Sequence, residues 1–259
     1  MLAILPPLLW AVAYTLAKPA TAAFPPLLLA SMAYGLTALV LFRPWTRYKT
    51  SPGVITAAAT LGASIQSAFI FTGIARVDAT AATLVVQSQV PFAVFGAWVI
   101  AKQPPDWCRL SGSLVALGGI AFIVGLPSLA GQFVGLLLIV VGTLSWGIGQ
   151  GLIAAPARDS GSKFMGALAA VAAPQLLILS VFTETGQWQA LMQAGPRDWG
   201  AVAVLAFGGF VAAYSIWYDL LRRYNVDQVA PFILLMPVAG VASAFLILGE
   251  RPTWSILVG

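Results

Sequence analysis

The sequence is poor in the residues that face water or carry catalysis. It has no histidine, one cysteine, 13 Lys or Arg and 8 Asp or Glu among its 259 residues. Charged residues make up 8% of the chain and hydrophobic residues 60%, whereas soluble domains carry roughly 25% charged residues. A water-facing surface cannot be built from so few charges, so we predict that the lipid bilayer is the solvent of this protein.

These shortages exclude several functions. A single cysteine, Cys108, cannot form a disulfide within the chain, and a zinc site of the His/Cys type is excluded. A membrane-embedded enzyme would need a histidine base, or clustered carboxylates that hold a metal, and no two acids lie close together within an apolar run. We therefore predict that the protein is not an enzyme and has no catalytic residues, no metal ligands and no cofactor.

The net charge of +5 is spread along the chain. Basic residues lie between apolar runs, as in loops at a membrane surface and unlike a phosphate-binding face, so no nucleic-acid partner is predicted. If the N-terminus is cytoplasmic, the even-numbered loops hold nine of the 13 basic residues and the odd-numbered loops hold four. This excess of positive charge on one side predicts a cytoplasmic N-terminus.

Long apolar runs fill the rest of the sequence. A membrane-spanning helix needs about 20 apolar residues, and backbone groups in lipid must pair within the segment, so we interpret the runs as helices. A tenth run begins at Thr253 and is cut off at Gly259. The other nine runs cover about 2–17, 24–42, 53–75, 79–101, 108–126, 132–155, 164–182, 199–219 and 228–248.

The second half of the chain repeats features of the first half. "QPPDW" (103–107) and "ERPTW" (250–254) are 147 residues apart, and each follows an apolar run that contains a proline, Pro91 or Pro237. Two further matches occur in the same order: 77–92 with 226–238, and 9–20 with 145–157, which pairs Trp10 with Trp146. We therefore predict two halves of five helices, residues 1–126 and 127–259.

An odd number of helices in each half has a consequence for topology. The second half begins on the opposite side of the membrane, so the two repeats must be inverted. Inverted repeats place a substrate site near the middle of the bilayer, and rocking of one half against the other gives alternating access. The repeat therefore predicts a secondary transporter.

Four segments carry a resemblance to a known family. "QSQVPFAVFGAWVIAKQPPDWCRLSGSLVALGGIAFI" and "APFILLMPVAGVASAFLILGERPTW" resemble the two EamA domains of the drug/metabolite transporter superfamily. "LSWGIG" and "AYSIWYDLLRRYNVDQVAPF" also resemble segments of these domains. Within the superfamily the chain is similar to EamA-type exporters of O-acetylserine and cysteine, which are related to the YddG-type amino-acid exporters.

The resemblance implies an all-α integral membrane protein of ten helices in an inverted 5+5 repeat, with the tenth helix truncated in this chain. It also implies a location in the bacterial inner membrane and export of amino acids or related small metabolites. The expected partners are a small-molecule substrate and the lipid bilayer, and the expected state is a monomer or a homodimer. The chain departs from the family pattern at Gln103, where a Glu is usual.

Glutamines inside the predicted helices are candidates for substrate binding, because polar side chains are costly in hydrocarbon. Gln66 lies in the middle of the third run, and Gln87 and Gln89 lie in the fourth. On a continuous helix, residues two apart point about 200° away from each other, so Gln87 and Gln89 are not expected to face the same cavity. Each glutamine could instead form a structural bond between helices.

Aromatic residues form a second set of candidates. Trp10 and Tyr14 are four residues apart and share a face of the first helix, and Trp146 and Gln150 repeat this spacing in the sixth. Aromatic faces attract an ammonium group and amides can hold a carboxylate, which suits a zwitterion. Tyr214 and Trp217 add an aromatic face on the eighth helix, whereas Tyr218 and Trp199 match the aromatic belt at the membrane interface.

The charged residues leave several alternatives open. Lys18 could attract a carboxylate or extend to the interface, and Glu250-Arg251 could fix a loop or form a gate. All eight acids lie at or near the ends of apolar runs, which favours facilitated efflux over proton coupling. The cargo could also be a sugar, a nucleotide sugar or a hydrophobic drug, although a cationic drug would need an acid in the cavity.

Overall fold

The computed structural model describes residues 2–77, 85–108, 110–112, 114–115, 118, 131–154, 159–243 and 245–246. All regular secondary structure in these ranges is helical. A 3-10 segment, Leu2–Ile4, precedes the first helix. The helices are α1 (Leu5–Ala23), α2 (Pro26–Leu41), α3 (Pro52–Ile74), α4 (Gln89–Ala101), α5 (Phe133–Ala154), α6 (Gly161–Thr183), α7 (Gln187–Gln193), α8 (Pro196–Leu221), α9 (Val226–Val229) and α10 (Met236–Ser243).

Four of these helices, α3, α5, α6 and α8, are long and apolar enough to cross a membrane. They coincide with the apolar runs that start near residues 53, 132, 164 and 199. The predicted fifth run, the tenth run and Glu250-Arg251 lie wholly or largely outside the described residues. The described part of the chain is therefore the helical membrane protein that its composition predicts.

Two predicted boundaries are wrong. The first helix does not end near residue 17 but continues through Pro19 to Ala23, because neighbouring helices can satisfy the backbone group that a proline leaves free. The segment after Thr183, expected to be a loop, contains the short helix α7, whose Trp188 and Met192 side chains are exposed. A helix of 7 residues does not stand out in a window of spanning length.

The fourth run is interrupted in its middle instead of forming one continuous helix. Gln87 and Ser88 form a turn, and α4 begins at Gln89. The Val90 amide donates to the Gln87 carbonyl at 3.0 Å, a three-residue separation, and Pro91 has no amide to continue the regular ladder. The corresponding place in the second half is similar, because the 3-10 segment Ala230–Leu235 separates α9 from α10, which has Pro237 as its second residue.

Helix packing is dominated by contacts between the two halves of the chain. Helix α2 packs along α6, and α5 packs against both α3 and α4. Helix α1 packs against α8 and α10. Helices α3 and α8 each contain a π-helical segment, Thr60–Ile65 and Leu205–Tyr214.

Helices α4 and α5 touch through glycines. A Cβ atom added to Gly96 would lie 2.1 Å from the Gly147 carbonyl oxygen, and one added to Gly151 would lie 2.2 Å from the Gly96 carbonyl oxygen. Both distances are shorter than any nonbonded contact, so the backbones can approach this closely only without side chains. Small residues at a helix interface are the usual means of close packing in lipid.

Carboxylates from one segment bind the backbone amides at the start of another. Glu184 accepts from the Leu27 and Leu28 amides at 2.7 and 3.1 Å, and Asp219 accepts from the Gly161 amide at 2.9 Å. The first amides of a helix have no partner within the helix and carry partial positive charge. These acids therefore stabilise helix ends, in agreement with their expected positions at the ends of apolar runs.

Asp159 has the same role between two loops. Its carboxylate accepts from the Thr50 amide at 2.8 Å and from the Lys49 amide at 3.0 Å, and it pairs with Lys163 at 3.2 Å. Burial alone would raise the pKa of this carboxyl, but these donors together hold the pKa below its usual value.

The glycine contact between α4 and α5 generates the first prediction. We expect Gly151→Ala to lower the free energy of unfolding by about 1–3 kcal/mol, because the helices must move apart to admit the methyl group. The measurement is thermal unfolding of the detergent-solubilised protein. Gly35→Ala is the matched control: a Cβ added there meets nothing within 4 Å, so stability should hold or rise by up to about 1 kcal/mol. Equal losses in both variants would contradict the prediction.

The Asp159 contacts generate the second prediction. The folded-state pKa of Asp159 is depressed. The stabilisation that its carboxylate gives to the folded protein is therefore present above the usual aspartate pKa of about 4, and it is lost as the pH falls through the folded-state value. Asp159→Asn should lower the free energy of unfolding at pH 7 by about 1–3 kcal/mol. The variant should also lose less stability than the parent protein between pH 6 and pH 3, measured as melting temperature against pH. Parallel curves for the two proteins would refute this role.

Candidate functional site

Three helices bring aromatic side chains together in the interior of the bundle. Trp10 on α1 lies with its ring centroid 4.8 Å from that of Tyr214 and 5.6 Å from that of Trp217, both on α8. Trp146 on α5 stacks on Trp217 at 6.0 Å. We call these four residues, together with Gln150, the aromatic cluster.

Two indole N–H groups orient the aromatic cluster. The Trp217 Nε1 donates to the Gln150 Oε1 at 2.8 Å, and the Trp10 Nε1 donates to the Gly209 carbonyl at 3.0 Å. Gly209 lies in the π-helical segment of α8, where the register of the backbone hydrogen bonds changes. The two bonds join α1, α5 and α8, and they hold two of the rings in defined positions.

Among the described residues, the amide nitrogen of Gln150 has no hydrogen-bond partner. An indole N–H can only donate, so the oxygen of the Gln150 amide must face Trp217 and the amide nitrogen must point away. Gln150 is 0% exposed, and within the described ranges no acceptor lies within bonding distance of its Nε2. A buried donor without an acceptor costs about 1–3 kcal/mol, which an acceptor on a bound molecule would recover.

The aromatic cluster is closed to solvent in this conformation. The exposed fractions are 3% for Trp10, 2% for Trp146, 0% for Trp217 and 6% for Tyr214. Trp217 and Gln150 each precede the last residue of their helix by four positions, or about 6 Å along the axis. The aromatic cluster therefore lies towards the C-terminal ends of α5 and α8.

Gln87 and Gln89 are both buried, at 0% and 9% exposure. Opposite directions for these two side chains would require a continuous helix, but Gln87 lies in the turn before α4. The Gln89 Nε2 contacts the Met236 Sδ at 3.9 Å. The separation of these two residues, 147 positions, equals the offset between the sequence repeats.

The remaining candidates are not part of the aromatic cluster. The Gln66 Oε1 accepts from the Ser67 hydroxyl at 3.1 Å. The side chains of Tyr14 and Lys18 lie outside the described part of the chain. Five of the nine predicted binding residues therefore come together, namely Trp10, Trp146, Gln150, Tyr214 and Trp217.

Tyr218 extends the cluster, and its expected place in an interfacial belt is wrong. It is 4% exposed and its ring lies 5.6 Å from that of Tyr214 and 5.1 Å from that of Phe164. Phe210 also packs on Tyr214, at 5.7 Å. The spacing of residues 210, 214 and 218 places all three on one face of α8, and this signal could have identified them.

Among the described residues, no three His, Cys, Asp or Glu side chains lie close enough to hold a metal ion. The carboxylates of Glu184, Asp219 and Asp159 bind backbone amides at helix ends and loops, away from the aromatic cluster. The cluster therefore has indole faces and one amide donor for a ligand, and these groups favour binding over bond-making chemistry.

Proteins with similar sequences are known in bacteria. The chain is 30% identical over 273 residues to a protein of Salmonella typhimurium named "Probable amino-acid metabolite efflux pump", covering 100% of this chain and 89% of that protein. A protein of the same name from Escherichia coli is 28% identical over 98% of this chain and 88% of its own length.

The structure and the family profile agree with these relatives. A solved crystal structure superposes with a TM-score of 0.77 at 18% identity, covering 99% of this chain and 90% of that one, which supports the fold. The profile of the EamA-like transporter family matches residues 1–125 and 133–259. Two matched segments, with these helices and relatives, identify a multi-pass membrane transporter and not an enzyme: the chain belongs to the EamA-like transporter family.

Proposed function

We propose that this protein exports amino acids or closely related small metabolites across the bacterial inner membrane by alternating access. The passage lies between two inverted halves, residues 1–126 and 127–259, and the N-terminus is cytoplasmic. The names of the two bacterial relatives support the class of cargo. The unsatisfied Gln150 amide among three indole rings is the observation that carries the proposal.

The packing of the helices supports the inverted repeat. The contact of α1 with α8 corresponds to that of α5 with α3, and the contact of α4 with α5 corresponds to that of α10 with α1. The π-helical segments of α3 and α8 also correspond, since they begin at Thr60 and Leu205. An exchange of the two halves therefore leaves the pattern of contacts unchanged, as a two-fold axis in the membrane plane requires.

The contact between Gln89 and Met236 indicates where this axis runs. Two residues that are equivalent under a two-fold rotation can touch only if both lie beside the axis. These two residues begin α4 and α10, just after the interruptions of their spans. Interrupted helices at corresponding positions of two inverted repeats are typical of the mid-membrane site of a transporter. Each interruption is also a place at which its half could bend.

The aromatic cluster has the groups that a zwitterion needs. The indole faces of Trp10, Trp146 and Trp217 attract an ammonium group, and the Gln150 Nε2 can donate to a carboxylate oxygen. A cation without a carboxylate would leave that amide unsatisfied. The cluster therefore favours a neutral amino acid over a hydrophobic cation.

We also propose that the closed cluster has a second role in the transport cycle. Loading from the cytoplasm requires separation of the rings of Trp10, Trp146 and Trp217, which now block that side. Bound substrate would offset the lost ring contacts by occupying the indole faces and the free amide. Because the described carboxylates bind helix ends, we further propose facilitated efflux down the substrate gradient.

The third prediction concerns the cargo. Proteoliposomes that contain the purified protein should take up labelled small amino acids in counterflow against the same unlabelled amino acid, and a pH gradient should not change the initial rate. Empty liposomes and an excess of unlabelled substrate are the controls. Movement of a sugar or an organic cation without any amino acid would overturn the substrate class, whereas a rate that follows the pH gradient would overturn facilitated efflux alone.

The fourth prediction concerns the amide of Gln150. Gln150→Leu should raise the KM for amino acids about tenfold, because a hydrogen bond to a charged carboxylate is lost. The KM for the methyl esters of the same amino acids should change much less, since the ester oxygens carry no charge. The measurement is counterflow with each substrate in proteoliposomes of matched protein content.

Gln175→Leu is the matched control for this variant. Gln175 is also a glutamine of a spanning helix, but its amide binds Thr60 and Ser64 at 3.0 and 2.7 Å, away from the aromatic cluster. This change should lower stability and leave the ratio of the two KM values as in the parent protein. Equal KM increases for amino acids and esters in Gln150→Leu would remove this amide from the substrate site.

A further inference from the structure

A cavity of about 180 Å³ opens between the end of α2, the loop that follows it and the start of α6, away from the aromatic cluster. The wall contains two cationic side chains, three hydroxyl side chains and one apolar side chain. These are Arg43 and Lys163; Thr46, Ser160 and Ser162; and Leu41. Cations and hydroxyl donors around one cavity are the groups that bind a phosphate.

Lys163 is held in place at this cavity. Its ammonium group pairs with the Asp159 Oδ1 at 3.2 Å, donates to the Arg47 carbonyl, and lies 4.6 Å from the centre of the Tyr48 ring. The Asp159 carboxylate is in turn fixed by the backbone amides of the loop. The position of the ammonium charge is therefore set before any ligand arrives.

Arg43 gives the cavity a positive charge that no described carboxylate neutralises. It is exposed, and no carboxylate of the described ranges lies within ion-pairing distance of its guanidinium group. The first amide of α6 does not add to this charge, because it donates to the Asp219 carboxylate at 2.9 Å. Asp159 neutralises one cation, and the cavity keeps a net positive charge.

The surroundings of the cavity are apolar on one side. Leu41 forms part of the wall, and the neighbouring Leu39 and Val40 on α2 are 83% and 51% exposed. Trp45, in the loop beside Arg43, is 81% exposed. Exposed aliphatic residues suit contact with acyl chains, and an exposed tryptophan next to basic residues is typical of the membrane interface.

We propose that this cavity binds the phosphate of an anionic phospholipid headgroup. Arg43 and Lys163 hold the phosphate oxygens, Ser160 and Ser162 donate to them, and the acyl chains lie along Leu39 and Val40. If the N-terminus is cytoplasmic, as predicted, the cavity lies in the cytoplasmic leaflet. Binding of the headgroup does not depend on this orientation. Basic cavities of this kind between spanning helices are known as headgroup sites.

The site also has a consequence for the fold. Arg43 follows α2 in the first half of the chain, whereas Lys163 belongs to α6 in the second half. A phosphate between them connects the two halves at the membrane surface. Bound lipid should therefore raise the melting temperature of the protein, and this readout is independent of transport.

The fifth prediction tests the site with the intact 259-residue chain in a neutral detergent. The probes are palmitoyl-oleoyl phosphatidylglycerol, palmitoyl-oleoyl phosphatidylcholine and inorganic phosphate, with binding followed by native mass spectrometry and by melting temperature. We expect the phosphatidylglycerol to bind in preference to the phosphatidylcholine and to raise the melting temperature. Arg43→Gln should weaken phosphatidylglycerol binding about tenfold, and Ser162→Ala about threefold.

Arg47→Gln is the matched control, because its exposed side chain lies in the same loop and does not line the cavity. It should change binding less than about twofold. Equal losses in Arg43→Gln and Arg47→Gln would show attraction to surface charge only and would overturn the site. Displacement of the lipid by millimolar inorganic phosphate would instead assign the cavity to a soluble phosphate compound, and the lipid proposal would be wrong.

Discussion

A backbone amide or carbonyl inside a bilayer has no water to bond, so the protein itself must satisfy it. Helices meet most of this requirement, but their first amides and last carbonyls remain open. In this chain the few acids supply the missing acceptors. Glu184 binds the start of α2, Asp219 the start of α6 and Asp159 the loop before α3. With only 8 acids in the sequence, this use leaves few carboxylates for the interior.

The same shortage shapes the interior of the bundle. Without charges, the helices associate through close backbone contact at glycines such as Gly96 and Gly151, and through neutral polar groups such as Gln175 with Thr60 and Ser64. Large aromatic side chains fill the space that remains between α1, α5 and α8. The site proposed above would recognise a ligand through indole faces and an amide group. This chemistry would suit a neutral zwitterion, which needs no buried counter-ion.

The two halves of the bundle are similar in packing but differ in side chains. Trp10 and Trp146 occupy matching positions in the repeat, but the residue four positions later is Tyr14 in the first half and Gln150 in the second. The Gln150 amide binds Trp217 of α8, and this ring packs on both tryptophans.

Much of this protein was predictable from its sequence because lipid imposes simple rules. Span length, the charge between spans and the repeat offset of 147 residues are properties of the sequence itself and need no tertiary structure. The four-residue spacing of Trp146 and Gln150 also placed both on one face of a helix, and the structure brings that face to Trp217.

The tertiary structure decided what local spacing cannot express. The turn at Gln87 and Ser88 changes the direction of every side chain after it, so helical periodicity fails there. The burial of Tyr218 depends on Phe164 of a different helix. The choice of Gln150 over Gln66 as the amide beside the indoles depends on which helices meet α8, because a side chain acquires its partners only when distant segments pack together.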